Sequence, residues 1–169
     1  VRAVPILIKI LEDTQQEPMV RHEAAEALGA IASDDVFSVL KIFENDPVVE
    51  VAETCQLALE RVQWLKNPEM VKDNNPYNSV DPAPPAISTN VETLKEVLMD
   101  ESATLFERYR AMFALRNIRT APAVRALGSA LRTGSALFRH EIAFVLGQLQ
   151  DEEGVPFLKE SLEDTSENE

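Results

Sequence analysis

The chain has 169 residues, enough for one packed domain or for a row of small repeated units. Hydrophobic residues make up 45% and aromatics 6%, with only 5 glycines, a balance that favours packed helices over a sandwich or barrel. There are 29 acidic against 16 basic residues, a net charge of −13, which opposes nucleic-acid binding and leaves plain solubility or a cationic partner.

Taken in chain order, the first amphipathic segment runs from Pro5 to Asp13, followed by PMVRHEAAEALGAIA from Pro18. A second couple follows: Asp34 to Glu44, then PVVEVAETCQLALERV from Pro47. Beyond a break come Val91 to Met99 and LFERYRAMFALRNIR from Leu105, then Ala121 to Arg132 and LFRHEIAFVLGQLQ from Leu137. A last helix is expected near Val155 to Leu162. Asp34 and Asn90 are placed as N-caps, and Pro5, Pro122 and Pro156 fall in first turns, where a missing N–H costs little. The break, Asn67 to Ser88, holds five of the ten prolines and reads as an extended spacer.

The second helices are copies of one another. Leu28 and Leu57 lie 29 apart, and Leu115 and Leu146 lie 31 apart. Helix pairs at that period indicate an all-α solenoid of the HEAT type. Residues 1–66 form an N-terminal half, 67–90 the Pro-rich linker and 91–169 a C-terminal half. Solenoids carry capping repeats; neither end of this chain reads as one, so the sequence is expected to be a piece of a longer array. Cys55, the single cysteine, sits in an apolar helical run as a core residue and rules out an internal disulfide, which fits a reducing compartment. No stretch reaches the ~20 apolar residues of a membrane span, and no signal peptide is visible. A cytoplasmic protein is the expectation.

The only two histidines, His22 and His140, are each followed by glutamate, Glu23 and Glu141, at the same position of equivalent helices. RHEAAEALGAI and RHEIAFVLGQL agree at six of eleven positions. Helical phase gives one apolar stripe as Val20, Ala24, Ala27, Leu28 and Ile31, the other as Phe138, Ile142, Val145, Leu146 and Leu149. His22 lies off its stripe above Ala25 and Gly29, and His140 above Ala143 and Gly147. A glycine inside a helix costs about 1 kcal/mol relative to alanine, so two at one position imply a close approach there. The other two second helices carry Val51 and Tyr109 at the histidine position, Ala52 and Arg110 at the glutamate position, and Ala58 and Arg116 at the glycine position. Pair and glycine come and go together, which a solvated polar face gives no reason for. Imidazole and carboxylate suit non-haem iron, zinc or manganese. Two such helices facing one another across the linker would bring His22, Glu23, His140 and Glu141 to one metal or catalytic site.

HEAT-like repeats bearing RHE-A--LG on their second helices, in two halves joined by PYNSVDPAPP (Pro76 to Pro85), resemble the deoxyhypusine hydroxylases. The resemblance covers essentially the whole chain. It implies an O2-activating monooxygenase that hydroxylates the deoxyhypusine side chain of a translation factor, with dioxygen as co-substrate and two Fe(II) ions per intact enzyme. It also implies four His-Glu pairs, two from each half, among them His22 with Glu23 and His140 with Glu141. This sequence has only two. The layout places the others one repeat before His22 and one repeat after His140, so the chain alone is expected to be inactive or nearly so. The acidic balance is compatible with a polyamine-like side chain.

A non-catalytic HEAT-repeat scaffold that binds a partner protein is the alternative, since a repeat fold alone confers no chemistry. A bilin-lyase-like protein shares the repeat but leaves the His-Glu pairs and PYNSVDPAPP unexplained. No CxxC, GxGxxG, GxxxxGK[ST] or GxSxG sequence is present, so zinc ribbons, nucleotide loops and nucleophile elbows have no support. Trp64 and Tyr77, beside the linker, either cover a site or pack the end of a helix.

Overall fold

A computed structural model describes residues 2–66, 75–77 and 79–167. The regular structure of these residues is helical: α1 (Val4–Glu12), α2 (Pro18–Ile31), α3 (Asp34–Phe43), α4 (Val49–Lys66), α5 (Val91–Met99), α6 (Leu105–Ile118), α7 (Ala121–Ser129), α8 (Ala136–Leu149) and α9 (Val155–Glu163), with 3-10 turns at Ala130–Arg132 and Glu152–Gly154. The all-α class of paired helices is as expected. Among the described residues no helix is long and apolar enough to cross a membrane.

Helix starts follow local chemistry. Pro5, Pro122 and Pro156 do sit in first turns, where the orphan N–H groups have no intrahelical partner to lose. Asn90 caps α5, its Oδ1 accepting from the Thr93 N–H at 3.1 Å. Thr104 caps α6 through the Glu107 N–H, and Ser135 caps α8 through the Phe138 N–H at 3.2 Å. Asp34 is not the cap of α3: Ser33 holds that position, and Asp34 and Asp35 stand in the first turn, where the helix dipole favours their charge. The second helices α2, α6 and α8 end on Ala32, Arg119 and Gln150, all left-handed at φ 50°, 57° and 51°. Their backbone N–H groups close back onto Leu28, Leu115 and Leu146.

The chain divides into two compact units, one holding α1–α4 and Val80–Ala83, the other α5–α9 and the segment from Pro84. In the first, α2 packs against both α1 and α4. Leu11, Leu28, Val36, Leu40, Val51 and Cys55 are fully buried there, each leucine contributing roughly 1.5–3 kcal/mol of hydrophobic stabilisation. The core placement of Cys55 is as expected, and burial pushes its thiol pKa up to about 12. Val20, assigned to the apolar stripe, is instead 43% exposed, because the turn before α2 and that helix's first residues stand in solvent.

Arg21 ties this unit together. Its Nε donates to the Leu11 carbonyl at 2.9 Å, at the end of α1, and its two terminal nitrogens reach both oxygens of Asp46, in the turn before α4, at 3.2 and 2.6 Å. The Arg21 guanidinium holds the Asp46 carboxyl below the usual aspartate range.

The second unit repeats the device. Arg108 Nε donates to the Leu98 carbonyl at 3.0 Å, and the guanidinium lies 3.9 Å over the Phe138 ring. Tyr109, Phe113, Phe138, Met112, Leu127 and Ile142 are fully buried in this unit. All five stripe residues of α8 are in the core, whereas α9 buries none of its own. Arg116, at the glycine position of α6, is fully buried, with Phe113 and Tyr77 rings 4.8 and 5.0 Å from its guanidinium carbon. Tyr77 thus packs on a helix side chain.

The described part of the Pro-rich stretch is neither helix nor strand, yet it is bonded to its neighbours. Arg61 donates to the Asp81 carbonyl at 3.2 Å, Ala83 is fully buried, and the Ala86 N–H donates to the Arg110 carbonyl at 2.9 Å. It is therefore more than a bare tether. Residues 67–74 and 78, also assigned to the spacer, lie outside the described residues.

Candidate metal centre

His22 lies in α2 one turn before Glu26, and it is not on an open face. Only 4% of it is exposed. Its burial comes with the packing of α4 on α2. The same contact explains the repeated glycine at this copy: a Cβ built on Gly29 would sit 2.6 Å from the Ala58 Cβ and 3.1 Å from its Cα. The close approach inferred at the glycine position is here a helix–helix approach. His22 Nδ1 lies 2.6 Å from the Thr54 Oγ1 of α4. Its Nε2 points toward two carboxylates, Glu23 Oε1 at 3.9 Å and Glu26 Oε2 at 3.8 Å.

Glu26 was not singled out by the motif, although its place four residues after His22 puts it on the same helical face. Burial, then the neighbouring Glu23 and Asp81 carboxylates, push its pKa above the usual range. Imidazole nitrogen and carboxylate are the donor types a divalent cation takes, but at 3.8 and 3.9 Å the three side chains are not gathered into a formed site. The Glu23 side chain is 72% exposed, so it can swing without breaking the packing.

His140 and Glu141 occupy the matching turn of α8 in the second unit. Here His140 is exposed, Glu141 is half-buried and Phe144, in the Glu26 position, is 56% exposed. A Cβ on Gly147 would meet nothing within 4 Å. The two glycines therefore have different surroundings despite their shared motif. At the histidine position the residues of the earlier copies are all buried, Val51 at 0% and Tyr109 at 1%, the latter with its ring 5.8 Å from Phe138 of α8. This is the seam by which α4 packs on α2 and α8 on α6, and α8 itself has no second helix over it among the described residues. Within those residues, no three His, Cys, Asp or Glu side chains are gathered to hold a metal ion.

The HEAT-repeat model matches residues 1–60 and 91–169. The chain belongs to the HEAT-repeat family. Within it, the chain is similar over nearly its full length to proteins named deoxyhypusine hydroxylase. It is 60% identical to the one from Gallus gallus over 166 residues, 98% of this chain and 56% of that protein. It is 58% identical to the one from Drosophila melanogaster over 169 residues, 99% of this chain and 56% of that protein. The solved structure of human deoxyhypusine hydroxylase in complex with glycerol superposes with a TM-score of 0.93 at 57% identity, covering 99% of this chain and 58% of that one. The resemblance drawn from RHE-A--LG and PYNSVDPAPP is thus upheld. The chain spans about half the length of the curated relatives it matches.

Proposed function

We propose that this chain is part of an iron-dependent deoxyhypusine hydroxylase and carries one His-Glu pair in each of its units. The observation that carries the reading is the pair itself, His22 with Glu23 and His140 with Glu141, at one repeat position of a HEAT array whose relatives bear that enzyme's name. His22, Glu23, His140 and Glu141 would hold the metal, two Fe(II) in a complete enzyme. Bound iron would supply the activation of dioxygen that a C–H hydroxylation requires and that no side chain here provides. The substrate would be a deoxyhypusine side chain on a translation factor. Its secondary and primary amines suit the acidic character of the chain and the Glu23–Glu26–Asp81 neighbourhood of His22.

The chain's own residues would have three tasks. Buried His22 offers a fixed nitrogen donor, because a side chain locked by packing loses little freedom when it binds. Exposed Glu23 closes on the metal or on a substrate amine. The Arg21–Asp46 ion pair beside them holds α2 in register with the turn before α4. With two of the four pairs that the family carries, the isolated chain is expected to bind iron weakly and to turn over little or no substrate.

Anaerobic titration with Fe(II) tests the reading. Binding that drops by roughly tenfold or more in His22→Ala or His140→Ala supports it, since removing a ligand costs at least as much as removing an outer-shell partner. Equal, negligible affinity in all three proteins favours the non-catalytic scaffold, for which the exposed His140 is the specific observation.

A further inference from the structure

We propose that Thr54 is a positioning residue for His22: it fixes the imidazole in the Nδ1–H tautomer and so makes Nε2 the donor nitrogen. The inference rests on the metal role of His22 for its purpose, but on hydrogen-bond geometry for its content.

A threonine hydroxyl has one hydrogen and two lone pairs. The Thr54 Oγ1 lies 2.7 Å from the Glu50 carbonyl oxygen one turn earlier in α4, and 2.6 Å from His22 Nδ1. A carbonyl oxygen only accepts. The hydroxyl hydrogen therefore goes to Glu50, in the back-bond that helical threonines commonly make. Were it turned to Nδ1 instead, two oxygens would face each other at 2.7 Å with no hydrogen between them. With its hydrogen spent, Thr54 can only accept from the imidazole, so Nδ1 carries the proton. The lone pair is then on Nε2, the nitrogen that faces Glu23 and Glu26.

Both partners are shielded from water, His22 at 4% and Thr54 at 3% exposure, so solvent does not compete for the bond. Ring rotation would cost the Nδ1–H this buried acceptor. Thr54 thus sets the tautomer and the ring orientation together, the service that carboxylate or carbonyl partners perform for metal-binding histidines. The seam packing of Gly29 on Ala58 delivers α4, and with it Thr54, to this distance.

The chain has two histidines, so 15N-imidazole labelling yields two rings, and a His140→Gln variant assigns them. Long-range 1H–15N spectra of the metal-free chain, at a pH where the imidazole is neutral, are expected to show His22 protonated on Nδ1. Thr54→Val, which keeps the shape and removes the acceptor, is expected to shift the proton toward Nε2. It should also weaken Fe(II) binding about 10–100-fold, while Thr54→Ser stays near wild type in both readouts. An Nε2–H tautomer in the wild-type chain overturns the proposal whatever the metal does, and needs no variant to fold. An unchanged tautomer in folded Thr54→Val, or Fe(II) affinity equal to a measurable wild-type value, overturns it too. Should the tautomer respond as expected while no form binds Fe(II), Thr54's hold on the ring is upheld and the metal reading is what fails.

Discussion

Replacing Asp46 with alanine would leave the Arg21 cation buried with only the Leu11 carbonyl as its acceptor. The side chains of the pair are 3% and 4% exposed, and the contact is two-pronged, with 3.2 and 2.6 Å arms. Removing one partner of a buried pair costs about 3–5 kcal/mol, because the remaining charge stays desolvated. Asp46 Oδ1 also accepts from the Val48 N–H at 2.9 Å, so the turn into α4 loses its brace as well. That total approaches the whole stability of a small unit, about 5–15 kcal/mol. Trp64 of α4 is the single tryptophan and reports on this unit alone, so its fluorescence in a urea titration is the assay. Arg21→Met with Asp46→Leu should lose far less than Asp46→Ala, since no charge is stranded. The pH dependence has a definite sign. The folded pKa of Asp46 lies below its ordinary value of 3.8. Its contribution is thus complete above that value, and fades as the pH falls through the folded one. The gap between wild type and Asp46→Ala should narrow only in strong acid. A cost under about 1 kcal/mol, typical of a surface pair, or a gap unchanged down to pH 2, would refute the reasoning.

Alanine at the two motif glycines should act with opposite signs in thermal melts. Gly29→Ala drives a methyl into Ala58 and costs about 1–3 kcal/mol of overpacking, more than the helix gains, whereas Gly147→Ala meets open space and stabilises by up to about 1 kcal/mol. Cys55, fully buried with its pKa at about 12, should resist a thiol reagent at pH 8 until urea unfolds its unit. Rapid labelling of the native chain would show that the first unit opens easily. Incubated with deoxyhypusine-bearing substrate, Fe(II) and dioxygen, this chain should form little or no hypusine, and turnover near that of a full-length hydroxylase would show that two His-Glu pairs suffice.

The helical pairs were legible in the sequence because their causes are local: apolar period, prolines in first turns and polar caps act within a few residues. Asn90 shows this well, and Asp34 shows its margin, since the N-cap position fell one residue earlier, on Ser33, whose hydroxyl makes no cap bond. The His-Glu pairs were legible for another reason, as identical letters at identical repeat positions. Their surroundings were not. His22 is buried and His140 exposed because α4 lies over the seam of α2 and no described helix lies over that of α8. The two RHE-A--LG copies read alike to any local rule. Thr54 and Asp46 were likewise silent letters. Thr54 stands 32 residues from His22 and Asp46 stands 25 from Arg21. What the sequence alone determined was which segments are helices and which side chains could carry chemistry. Which histidine is locked, and by what hydroxyl, was decided by the packing of α4 on α2, a contact between distant residues that no periodicity encodes.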